Sequence, residues 1–200
     1  MILNIGIIIA AYLIGSISSA IVLCKLAGLP DPRSQGSGNP GATNVLRFGG
    51  KTLATVTLLG DILKGALPVL MARALDVPDQ VLAAVCFAAF IGHVYPIFFN
   101  FQGGKGVATA LGVITALSWP SGLALMGTWL VMAVLSRISS LSALTAATLN
   151  PVYIYLFTQN LYFTATAVLM TVLLIYRHRA NIQRLLAGEE PRIGKKARDS

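Results

Sequence analysis

The chain has 200 residues, 56% of them hydrophobic and only 11% charged, and its mean hydropathy is +0.75. A soluble domain is about one-quarter charged, so this composition excludes one and indicates an integral membrane protein. The formal charge of +8 is accounted for by basic residues retained in cytoplasmic loops and does not require a nucleic-acid partner.

The first uncharged run, Met1 to Cys24, has no basic n-region and exceeds a signal-peptide core, so it reads as a retained span over residues 3–24, closed by Lys25. The stretch R-S-Q-G-S-G-N-P-G-A-T-N-V-L-R, Arg33 to Arg47, follows. Its glycines and proline exclude regular structure over Gly36, Ser37, Gly38, Asn39, Pro40 and Gly41, and predict a tight loop with backbone N–H groups directed at a ligand. With Arg33 and Arg47 at its ends, the stretch has the makings of an anion cradle.

A second span, residues 52–71, is closed by Arg73 and carries Asp61 and Lys64, three apart on one helical face. Charges at that depth are costly unless paired or lining a site. The two therefore form a mutual ion pair, or one of them braces a pocket at the cytoplasmic end. The third span, residues 80–101, holds His93, which is either a base or a satisfied buried imidazole. Next comes Q-G-G-K-G-V-A-T, Gln102 to Thr109, where Gly103, Gly104 and Lys105 open a helix and offer free N–H groups, a favourable dipole and a cation.

The uncharged run Gly106 to Ser136 is too long for one ordinary span and short for two. A hairpin turning near Trp119, Pro120, Ser121 and Gly122 returns Arg137 to the side of the first loop, giving spans over residues 106–118 and 121–136. Residues 141–157 and 161–176 read as two more, broken near Gln159 and Asn160, before a tail over 177–200. The expectation is an all-α, seven-span single domain over residues 1–200, with its N-terminus outside and its C-terminus cytoplasmic. Lys25, Arg33, Arg47, Lys51, Lys105, Arg137, Arg177, Arg179, Arg184, Arg192, Lys195, Lys196 and Arg198 then lie inside, against Arg73 alone outside. The helix after the G-G-K-G loop is the short one, and such helices often aim an N-terminus at an anion.

Several familiar chemistries fail their context tests. G-S-G-N-P-G matches G-x-G-x-x-G but no strand precedes it, and G-G-K-G lacks the spacing of a nucleoside-triphosphate loop. There is no G-x-S-x-G elbow and no zinc spacing, and Cys24 and Cys86 lie in apolar runs. No acidic residue stands four or five places after His93 (Ile97, Phe98) or His178 (Ile182, Gln183). His178 and Asn181 share one face of the tail if it is helical, suited to hydrogen-bonding a polyol. A transporter of a phosphorylated metabolite is the competing class, but its sites would lie near mid-membrane, whereas these motifs gather on one face.

Together, Gly36 to Arg47, Gly92 to Thr109, the serine cluster from Arg137 to Ser142 and the tail R-H-R-x-N-I-x-R-L-x-x-G-x-E resemble the bacterial PlsY family over essentially the full length. These are membrane acyl-phosphate:glycerol-3-phosphate acyltransferases. The resemblance implies transfer of a fatty acyl group from acyl phosphate to the 1-position of sn-glycerol 3-phosphate, an early step of phospholipid synthesis, at a cytoplasm-facing site of a bacterial inner membrane. The expected catalytic residues are Ser37, Arg47, Lys105, His178 and Asn181. Gly36, Gly38, Asn39, Gly41, Thr43, Asn44, His93, Gly103, Gly104, Ser139, Ser140 and Ser142 are expected to bind substrate. No metal or cofactor is expected. The expected partners are the two substrates, membrane lipid and, as a candidate, a soluble acyl-phosphate-producing enzyme.

Overall fold

A computed structural model describes residues 1–193, so the expected tail cations Lys195, Lys196 and Arg198 lie outside the described residues. The described chain forms α1 (Ile2–Gly15), α2 (Ser19–Leu26), α3 (Ala42–Phe48), α4 (Gly50–Ala74), α5 (Asp79–Val94), α6 (Val107–Leu117), α7 (Trp119–Ser136), α8 (Ser139–Thr158), α9 (Leu161–Arg177) and α10 (Arg179–Leu186). Short 3-10 turns lie at Pro32–Ser34 and Ile97–Phe99, and there is no strand among the described residues. Three segments, α4, Asp79–Phe99 and α7, are long and apolar enough to cross a membrane, or up to five if each of the bent pairs α1/α2 and α9/α10 is one span. With 11 residues, α6 is about 16 Å long, roughly half the hydrocarbon thickness.

The core is built round α5, whose Val85, Cys86, Ala89, Phe90 and Val94 are fully buried. Lipid tails are as apolar as leucine, so helices in a bilayer associate through small residues that let backbones touch. Here Gly15 of α1 lies on the Ala89 carbonyl and Gly92 of α5 on the Tyr12 carbonyl, and a side chain at either would collide with backbone. Gly112 of α6 meets the Ile62 carbonyl of α4 in the same way. Outward-facing Val131, Val134 and Leu135 of α7 are more than half exposed, as a lipid-facing surface requires.

The expected first span is continuous, but the structure breaks it between α1 and α2 with a 46° bend. Ser16 Oγ donates back to Tyr12 O at 2.8 Å, and Ser18 caps α2 by accepting from Ile21 N. Both serines offer the backbone an alternative to continuing the helix. Pro151 inside α8 cannot donate to Ala147 O, and Thr171 Oγ1 of α9 takes its place at 2.8 Å. Thr115 and Gly122 would stand about 10 Å apart in one continuous helix. Here they touch across Ser118, so the uncharged run turns sharply near the expected place.

Polar groups collect at two ends. At one, Arg73 Nη1 donates to the terminal α6 carbonyls Ala116 O and Leu117 O, and Asn160 Nδ2 donates to Asp79 Oδ2 at 2.7 Å. At the other lie both glycine-rich loops, the start of α8 and α10.

Candidate active site

The first loop is tied from within by one side chain. Asn44 is 1% exposed. It donates to Pro32 O and Gln35 O and accepts from Ser37 N at 3.0 Å, stapling the two sides of the loop across the first turn of α3. Gly36 must lack a side chain, because its φ is +54° and a Cβ would strike Asn44 Oδ1. The Ser37 and Thr43 side chains are exposed, and Asn39 and Gly41 are half-buried.

The two arginines expected to flank an anion differ. Arg33 is spent on Asp31, with Nη2 to Oδ2 at 2.6 Å and Nε 3.0 Å from Oδ1, and it also donates to Phe99 O. That hydrogen-bonded pair holds the Asp31 carboxyl below its ordinary range and raises Arg33. The cradle therefore has one open arginine. Arg47 is exposed, its stem lies beside Gly36, and its guanidinium has no polar partner among the described residues.

The second loop is the more constrained. Gly103 and Gly104 are buried, and their carbonyls accept from Arg177 Nη2 at 2.8 Å and Nε at 3.3 Å respectively. Arg177 itself stacks over the Tyr95 ring. Gly106 starts α6 with φ +88°, and a Cβ there would strike the Phe90 ring, so glycine is demanded twice. These constraints place Lys105 at the open N-terminus of α6. Its Nζ donates to Asn181 Oδ1 at 2.5 Å. Burial pushes its pKa down to about 8, with Glu190 opposing and Arg184, Arg177 and Arg47 adding to the fall. Lys105 thus lies within the electrostatic reach of Arg47.

The tail completes the cluster. Asn181 Nδ2 donates to Glu190 Oε1 at 2.5 Å, Ser140 Oγ donates to the same oxygen at 2.7 Å, and Arg184 Nε donates to Oε2 at 2.7 Å. Glu190 is desolvated, yet these three donors hold its carboxyl below the usual range. His178 is 2% exposed and its Nδ1 lies 2.8 Å from Leu174 O. A carbonyl only accepts, so Nδ1 carries the proton; burial pushes the pKa down to about 4, so the ring is neutral and Nε2 has a free lone pair.

Of the expected residues, Lys105, Asn181, Ser140 and His178 come together, and Arg47 is near enough to act on Lys105 electrostatically. Ser142 is fully buried and donates to Ile138 O within its own helix, and Ser139 opens α8, half-buried. His93 stands behind the second loop, 6% exposed. Sequence reasoning assigned no role to Glu190 or to the grip of Arg177 on the loop carbonyls. The signal for Glu190 was a carboxylate closing a strongly basic motif. A recess of about 300 Å³, lined among others by Arg73, Asp76, Asp79, Leu117 and Phe163, lies at the far end of α4 and holds none of these groups.

A family model described as glycerol-3-phosphate acyltransferase matches residues 5–188. The glycerol-3-phosphate acyltransferase of Thioalkalivibrio sulfidiphilus is 60% identical over 100% of this chain and 98% of its own, and that of Methylococcus capsulatus is 55% identical over 93% and 94%. The crystal structure of PlsY (YgiH), an integral membrane glycerol 3-phosphate acyltransferase, in its glycerol 3-phosphate form superposes with a TM-score of 0.91 at 41% identity, covering 96% of each chain. Its lysophosphatidic acid form gives 0.89 at 40% identity over 96% and 95%.

Proposed function

The chain belongs to the glycerol-3-phosphate acyltransferase family, PlsY, and on that premise we propose that it acylates the 1-hydroxyl of sn-glycerol 3-phosphate with acyl phosphate as donor. The products are 1-acylglycerol 3-phosphate and inorganic phosphate, at an early step of phospholipid synthesis. The observation that carries the reading is Lys105, held at the start of α6 against Asn181 and in the field of Arg47. Two anionic groups side by side need cations that converge from separate segments.

In this mechanism Arg47 and Lys105 grip the phosphates, and the Gly36–Gly41 backbone with Ser37 receives the acyl-phosphate end. Ser140, Asn181 and His178 hold the glycerol moiety, with Glu190 fixing the Asn181 amide so that its oxygen meets Lys105. The glycerol 1-hydroxyl oxygen attacks the acyl carbonyl carbon, the carbon–oxygen bond to phosphate breaks, and the proton passes to a phosphate oxygen. A phosphate monoester, with a second pKa of about 6, is a better proton acceptor near neutrality than an imidazole held at about 4. His178 Nε2 then orients the hydroxyl. An acyl phosphate is already activated, so orientation, worth up to about 7–11 kcal/mol in favourable cases, removes the need for a covalent acyl-enzyme.

The same reading sets the chain in a bacterial inner membrane with seven crossings, the N-terminus outside and the site facing the cytoplasm, supported by the one-sided distribution of Lys and Arg. The test is purified protein in detergent with synthetic acyl phosphate and glycerol 3-phosphate. Lysophosphatidic acid formed without a vesicle gradient supports the enzyme. Gradient-dependent uptake without acylation defeats it, and turnover with acyl-CoA in place of acyl phosphate defeats the donor assignment.

A further inference from the structure

We propose that Asp61, Lys64 and His93 are a positioning unit for Lys105: a buried ion pair on α4 that backs the His93 ring, which forms the floor beneath Gly104. Its kinetic consequences rest on the acyltransfer reading above; its structural ones do not.

Three ionisable side chains at 2%, 6% and 6% exposure are expensive in a bilayer and call for an explanation. Lys64 Nζ lies 2.8 Å from Asp61 Oδ1 and donates to Ile17 O at 2.8 Å. That carbonyl is available because the helix is interrupted between α1 and α2, so the unexpected break and the buried lysine explain each other. The ammonium meets the carboxylate off-axis, leaving Asp61 Oδ1 with a charge partner but no aligned hydrogen bond, and His93 Nδ1 stands 3.7 Å away, also without one. One edge of the imidazole therefore faces a fixed negative charge.

The opposite edge faces the loop. A methyl group on Gly104 would overlap His93 Nε2 and Cε1, and one on Gly103 would overlap His93 O. Gly104 N also donates to His93 O at 3.2 Å. Across the loop, Arg177 holds the two glycine carbonyls. The loop backbone leading into Lys105 is thus clamped between His93 of α5 and Arg177 of α9. His93 has a steric task there, behind the loop, and no proton to move.

The test is a double-mutant cycle on the full chain in detergent. Gly104→Ala alone is expected to lower kcat/KM for glycerol 3-phosphate about a hundredfold, chiefly by raising KM. His93→Ala alone lowers it about tenfold, while the double variant regains at least about tenfold over Gly104→Ala because the methyl fits the vacated ring space. The pH–rate profile of His93→Ala keeps its wild-type limbs. Amide exchange over residues 103–106 quickens in both His93→Ala and Asp61→Asn while exchange in α7 does not. Strictly multiplicative losses, a vanished ionisation limb or a uniform rise in exchange each overturn the proposal. If His93→Ala does not fold, His93→Val serves in the same cycle, and failure of both to fold overturns it too. An inactive wild type would refute the acyltransfer reading and leave the clamp to be judged by exchange alone.

Discussion

Lys105 is the residue on which pH acts most directly. Its pKa is depressed to about 8 by burial and by neighbouring arginines, so the ammonium proposed to grip phosphate is present below that value and is lost as pH climbs through it. The expected result is a KM for glycerol 3-phosphate that rises above pH 8, and Lys105→Arg should move that limb upward, checked by initial rates across pH 6–10. Removing the charge by Lys105→Ala or Arg47→Ala should cut kcat/KM by at least about a hundredfold, with the unfolding temperature nearly unchanged for exposed Arg47. Glu190→Ala is expected to do the reverse of a clean binding defect. It frees Asn181, Ser140 and Arg184 at once, so thermal stability and turnover fall together, readable by melting in detergent. At this scale the sequence singled out Lys105 and Arg47 as candidates for gripping an anion, because glycines beside a cation free backbone N–H groups next to a positive charge. It could not reveal that Arg33 is neutralised by Asp31, since a pair two residues apart on a turn depends on backbone angles that no periodicity encodes.

Among the elements, α6 shows how little freedom the fold leaves round the site. Gly106→Ala must put a side chain at φ +88° and into Phe90. The left-handed conformation alone costs about 1–2 kcal/mol, and the displaced start of α6 moves Lys105 with it. Reduced turnover at constant helix content, followed by circular dichroism, is the expected outcome. Thr171→Val tests the other kind of helix repair, leaving Ala147 O opposite Pro151 without a donor. Loss of a polar contact between membrane helices costs about 0.6–1.7 kcal/mol, so a lower melting temperature with kcat unchanged is expected. The long helices fall within the uncharged runs and the chain turns near Ser118 where charge parity asked for a hairpin, but α3 (Ala42–Phe48) was not read as a helix and α5 ends at Val94 rather than at residue 101. The break after Gly15 was not legible, because Ser16-Ile-Ser18 is too weakly polar to interrupt a hydropathy trace, and only the tertiary partner Lys64 shows why the chain opens there.

For the molecule as a whole, hydropathy and the distribution of basic residues were enough to predict an all-α membrane protein with its motifs on one face. The structure adds which corners meet. Arg73, Asp79, Leu117 and Asn160 gather at one end, and Lys105, Asn181 and Glu190 at the other. Single cysteines placed in a background lacking Cys24 and Cys86 would test the proposed orientation. Ser37→Cys should react with an impermeant maleimide in inside-out vesicles alone, and Gln159→Cys in right-side-out vesicles alone. The reverse pattern would invert the topology.

Ile193 N donates to Arg137 O at 2.7 Å, three residues after the carboxylate that seats Asn181. Anything appended to the chain after Ser200 is therefore tethered, through residues 194–200, to the backbone that carries Glu190 and the proposed site. The choice of purification handle becomes an experimental variable: a bulky reporter joined directly after Ser200 should depress turnover, and a long glycine-serine tether should restore it.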